Sequence, residues 1–176
     1  MHRAPSACAF GLTLALLTPA TLVAKGRELP APAVRGLQPE TAALVQQARA
    51  RSATVKALVD VLGRSDLVVY VEFPPYLDSA TAHTSFLAAF GGHRYLIVSI
   101  NPRHVVEERI ALLGHELQHA VEIAGAPEVR SEETFHRFYL REAWSTSDPR
   151  HYETTAAQQA EEMVRRELQV RELPGR

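Results

Sequence analysis

At 176 residues, with 46% apolar and 22% charged side chains, the chain has the make-up of one globular domain around one core. A formal net charge of −1, with no long block of like charge, excludes an electrostatic case for nucleic acid or an anionic membrane as partner. The sole cysteine, Cys8, excludes a disulfide framework and a zinc site built on thiolates.

The first elements concern export. Met1-His2-Arg3 is a short basic start, Ala7 to Leu17 is an apolar run broken by Gly11 and Thr13, and Pro19 to Ala24 offers small residues for cleavage. The pattern predicts a signal peptide over 1–24, cut after Ala24 or alternatively after Ala20, and a periplasmic or secreted product. The apolar run is too short to serve as a stable membrane span, so the mature chain is expected to have none. Cleavage removes Cys8, and with it the one candidate thiol nucleophile. Lys25 to Leu37, with Pro30 and Pro32, reads as an extended or disordered linker, giving a linker over 25–38 and a single domain over 39–172.

Pro39 and Glu40 open a helix carrying Leu44, Val45 and Ala48. Ser52 caps a second helix with Val55, Leu58, Val59 and Leu62 inside, and Gly63 ends it. The period then changes. Leu67 to Phe73, Thr84 to Phe90 and Arg94 to Ile100 read as three strands, bounded by Pro74-Pro75, Gly91-Gly92 and Asn101-Pro102. Gly91-Gly92 predicts an antiparallel hairpin between the last two. The helical period returns from Arg103, where Ile110, Leu113, Leu117, Val121 and Ala124 form a stripe that Gly125-Ala126-Pro127 stops. A further helix starts near Ser131, and Asp148-Pro149 restarts one that runs to about Val170. The expected fold is α+β: a small antiparallel three-stranded sheet packed with helices.

The chemistry lies in His115-Glu116-Leu117-Gln118-His119, an H-E-x-x-H motif. On a helix His119 falls about 40° around from His115, so both imidazoles leave one face, away from Leu113, Leu117 and Val121. Two such imidazoles can hold one zinc ion, and Glu116 can reach the water on it. A helix committed on both faces is a buried one. Catalytic zinc takes three protein ligands, and the candidates for the third are Glu122, Glu132, Glu133, His136, Asp148, His151 and Glu153. Glu122 shares the histidine face but sits about 10 Å along the axis from His115, so it reads as a supporting or salt-bridging group. Glu153 is favoured. Placed in the last helix, it lies within about 60° of Ala156, Ala157, Ala160, Val164 and Leu168 and faces the core, where a carboxylate needs a partner such as a metal. His83, His93 and His104 lack partners at ligand spacing and read as surface, while Tyr139 and Trp144 read as core.

His115, Glu116 and His119 on one helix, followed by a glutamate on a later element, resemble the gluzincin arrangement of zinc metallopeptidases. Glu153-Thr154-Thr155-Ala156 is similar to the E-x-x-A segment of several such families, although Ala157 stands where an aspartate often follows. The run from His115 to Glu122 also resembles a segment of small uncharacterised exported bacterial proteins. The resemblance implies a zincin-like active-site helix and a hydrolase acting on a peptide or protein substrate. Zinc on His115, His119 and Glu153 would acidify its water, with Glu116 as the general base. Tyr139, Tyr152, His136 and His151 remain open as oxyanion donors, and the strand Arg94–Ile100 would hold substrate in extended form. Nothing in the chain corresponds to a second lobe forming a substrate cleft. The competing reading is therefore a non-catalytic exported domain, whose metal is structural, absent, or part of a partner-binding module.

Overall fold

Strand direction in this protein follows from what connects the strands. In the computed structural model, which describes residues 33–75, 81–142, 144–145 and 152–172 of the unit Ala31–Arg176, β1 (Val34–Gly36) is followed by two helices, α1 (Pro39–Arg51) and α2 (Ala53–Leu62). That crossover returns the chain to its starting end, so β2 (Leu67–Glu72) pairs with β1 in parallel, Val34 opposite Val69. β3 (Ala82–Phe90) runs back along the edge, and β4 (His93–Ile100) inserts between it and β2. The sheet order is β1-β2-β4-β3, with β2 and β4 parallel and β3 and β4 antiparallel.

This corrects the expected three-stranded antiparallel sheet. The sheet has four strands and is mostly parallel, and the added strand β1 lies in the stretch read as an extended linker. Val68 and Val69, which face opposite sides of β2, are both buried, as an interior parallel strand requires. The expected hairpin is present. Gly91 and Gly92 take φ of 59° and 81°, a left-handed turn that other residues rarely adopt, and β3 bulges between Phe86 and Ala88.

The helices begin where local chemistry favours them. Pro39 opens α1, with Gln38 and Thr41 exchanging hydrogen bonds across its first turn. Ser52 ends α1 and caps α2 by accepting from the Val55 amide at 3.0 Å. Glu167, near the end of α5 (Thr155–Glu172), reaches the same junction and accepts from Ser52 and Thr54.

α3 (Val106–Ala124) is the central element, packed on the sheet, on α1 and α2, and most closely on α5. Ile110, Leu113, Leu117, Ala120 and Ile123 are completely buried. Its contact with α5 depends on Gly114, since a Cβ there would stand 2.7 Å from Cγ2 of Val164. Its C-terminus lacks a left-handed cap, Gly125 having φ −73°. Arg94, only 1% exposed, supplies the cap instead. Its Nη1 donates to the carbonyls of Ile123 and Ala126 at 2.8 and 2.7 Å, while Nε and Nη2 grip the Asp66 carboxylate at 2.9 and 2.7 Å.

α4 (Glu132–Glu142) and a two-stranded ribbon, β5 (Trp144–Ser145) with β6 (Tyr152–Glu153), complete the described elements. Among the described residues no helix is long and apolar enough to cross a membrane. The expected signal peptide, the Asp148-Pro149 helix start and His151 lie outside the described residues.

Candidate functional site

The H-E-x-x-H motif occupies the middle of α3, and three other elements line the space in front of it. His115, Glu116 and His119 line a cleft with Ala82, His83 and Thr84 of β3, Phe135 and Tyr139 of α4, and Tyr152 and Glu153 of β6. The cleft opens to solvent and leaves about 30 Å³ of free space. Helical spacing places the two imidazoles on one face, as expected, and their Nε2 atoms meet at 3.2 Å. All four expected site residues therefore share this cleft.

Each histidine is held from behind by a carboxylate. Nδ1 of His115 lies 2.9 Å from Glu161 of α5, and Nδ1 of His119 lies 3.0 Å from Glu122. Glu161 also accepts from Arg165 at 2.7 Å, and Arg165 is bound in turn to Glu108 of α3. Glu122 accepts from the Thr154 hydroxyl at 2.7 Å. Glu122 thus takes the supporting place its spacing suggested. Tyr139, 1% exposed, donates its hydroxyl to the His119 carbonyl at 3.1 Å and sets its ring perpendicular to that imidazole. Tyr152 stacks on Tyr139 at 4.9 Å and contacts His136, forming the aromatic wall.

The electrostatics follow from these contacts. The hydrogen bond from His115, with help from Arg165 and against the opposing effect of burial, lowers the pKa of Glu161 to about 2. Burial penalises the charged form of His115. The hydrogen bond to Glu161 and the charges of Glu116, Glu153 and Glu161 outweigh that penalty, so its pKa is raised. Burial likewise works against ionised Glu122, but hydrogen bonds from His119 and Thr154 prevail and its pKa is lowered. Burial and the nearby Glu122 and Glu116 charges push the Tyr139 hydroxyl well above its ordinary value.

The expected zinc cofactor is not supported: among the described residues no group of three or more His, Cys, Asp or Glu side chains could hold a metal ion. The two Nε2 atoms are in contact with each other, and Oε1 of Glu153 stands 3.8 Å from Nε2 of His115. Glu153 precedes α5, on β6, so the helical stripe that argued for its burial does not contain it. Its Oε2 accepts from Gln158 at 3.3 Å. Glu116 is engaged as well, its carboxylate accepting from the Thr84 hydroxyl at 2.7 Å. The other candidates lie apart from the cleft: Glu132 and Glu133 are exposed in the first turn of α4, and His136 is exposed and paired with Tyr152.

Glu161 was missed by sequence reasoning, although the signal existed. It lies within about 40° of Ala157 on a helix, on the same buried stripe as Val164 and Leu168. The part played by Thr84 and His83 of β3 carried no local signal at all.

No family model, no curated protein and no solved structure matches this chain. With no metal-holding group among the described residues and no such match, the expected zincin-like active-site helix, the gluzincin resemblance and the assignment as a hydrolytic zinc metallopeptidase are not upheld.

Proposed function

We propose that this chain is a non-catalytic exported module that binds an extended segment of a partner polypeptide, with a basic group of that segment seated in the α3 cleft. The observation that carries the reading is the concentration of carboxylates there. Glu116 and Glu153 line the cleft, and Glu161 and Glu122 stand directly behind its histidines. A half-enclosed site with carboxylates on its walls favours a cation and disfavours an anion. The neighbouring strand supports the polypeptide part. β3 is the edge of its sheet, and its first residues, Ala82, His83 and Thr84, form one wall of the cleft. A segment that pairs with that edge passes the cleft with alternate side chains directed toward it. Export rests on the basic start and apolar run of residues 1–24.

The test is fluorescence anisotropy with short labelled peptides that differ at one central residue, lysine or glutamate, alongside mass spectrometry of the same mixtures. The lysine peptide is expected to bind about tenfold more tightly, an advantage that Glu153→Gln and Glu116→Gln each reduce, with both peptides left intact. Equal binding of the two peptides would overturn the cation reading. Peptide cleavage that disappears in Glu116→Gln would overturn the non-catalytic one.

A further inference from the structure

The two histidines of the cleft are oriented by different elements to the same end. In a neutral imidazole one nitrogen donates and the other accepts, and the partner of one fixes the role of the other. A carboxylate can only accept, so Glu161 selects the form of His115 with its proton on Nδ1, and Glu122 does the same for His119. Both Nε2 atoms are thereby turned into the cleft as acceptors. Neither orienting carboxylate is loose: Arg165, itself bound to Glu108, holds Glu161, and Thr154 holds Glu122. A third acceptor lining the cleft is Oε1 of Glu153, 3.8 Å from Nε2 of His115.

We infer that the cleft selects a primary ammonium, a lysine side chain or a chain-terminal amine, whose three N–H groups bond to Nε2 of His115, Nε2 of His119 and Glu153, and that Glu161 and Glu122 are the positioning residues that make this selection. The inference rests on the proposed cation-binding role and adds to it a demand for hydrogen-bond donors. An ammonium is a compact donor of three bonds, whereas a guanidinium presents a wide planar fork. With both protons on Nδ1, the two Nε2 atoms of the ligand-free protein face each other at 3.2 Å as acceptor against acceptor. A ligand with N–H groups replaces that contact. A quaternary ammonium carries the same charge but has no N–H, and leaves both acceptors unpaired in a buried place.

The experiment titrates three labelled peptides into the full chain after dialysis against chelator, with lysine, trimethyllysine or glutamate at the central position. The lysine peptide is expected to bind about tenfold more tightly than the trimethyllysine peptide, and Glu161→Ala and Glu122→Ala each reduce that ratio toward one. Nitrogen-15 shifts of the imidazoles, recorded above their titration range, are expected to show the proton on Nδ1 of both rings, and to lose that preference at His115 in Glu161→Ala. Equal binding of lysine and trimethyllysine peptides, both above glutamate, overturns the inference while leaving the cation-binding role in place. Equal binding of all three, or none, overturns both. Rings protonated on Nε2 overturn the positioning role whatever the peptides do.

Discussion

Glu161 accepts a hydrogen bond from Nδ1 of His115 at 2.9 Å, so a carboxylate on the last helix decides which nitrogen of a histidine on the central helix faces the cleft. The same carboxylate receives Arg165, which makes it a tie between α3 and α5 as well as a part of the site.

Glu161→Ala removes the acceptor shared by His115 and Arg165, and the fold should lose about 2 kcal/mol. Urea denaturation of the variant against the parent measures this. A change within about 0.5 kcal/mol, the range of an ordinary surface substitution, would show that the contact contributes nothing to stability.

Arg94 should be among the least replaceable residues. Arg94→Met removes the side-chain donor to the Ile123 and Ala126 carbonyls and leaves Asp66 with only Arg130 at 3.8 Å, and is expected to cost about 3–5 kcal/mol. The same pair carries a pH dependence. The hydrogen bond from Arg94 holds the Asp66 carboxyl below its ordinary range. A depressed carboxylate stabilises the fold above its unfolded pKa of about 3.9, and that stability disappears as pH falls toward the folded value. Urea midpoints measured downward from pH ~6 should therefore fall less steeply in Asp66→Asn than in the parent. Parallel curves would exclude Asp66 as a source of the acid sensitivity.

Chelator dialysis is expected to leave the thermal midpoint unchanged, because His115 and His119 are held in place by Glu161 and Glu122 rather than by a metal. A metal that binds only the folded chain at a hundredfold over its Kd adds about 2.7 kcal/mol. A midpoint that rises by several degrees with added zinc would return these histidines to a metal-binding role.

Gly114→Ala places a methyl group 2.7 Å from Cγ2 of Val164 where α3 and α5 cross, and should destabilise by about 1–3 kcal/mol. Val164→Ala alone leaves a small void. The double variant should recover part of the first loss, and strict additivity in a denaturation cycle would count against a shared contact.

Much of the local structure was written in short sequence signals. Pro39, Ser52 and Gly91-Gly92 mark helix starts and a turn through the intrinsic conformations and hydrogen bonds of those residues, and each stands where expected. The shared face of His115 and His119 follows from helix geometry alone. Tertiary structure decided the rest. Leu67 to Val71 is an unbroken apolar run that suits either an edge or an interior strand; its parallel pairing with β1 follows from the return through α1 and α2, and that with β4 from the passage through β3. β1, three residues long, is too short to show a period and exists because β2 offers it a partner. Glu153 and Glu161 are close in sequence and of identical chemistry, yet one stands on a short strand beside the cleft and the other on the helix that buttresses it. The sequence by itself set which face of α3 bears the histidines, because that depends on a local repeat. Which carboxylates meet them depends on contacts between elements far apart in the chain, and packing alone brings those together.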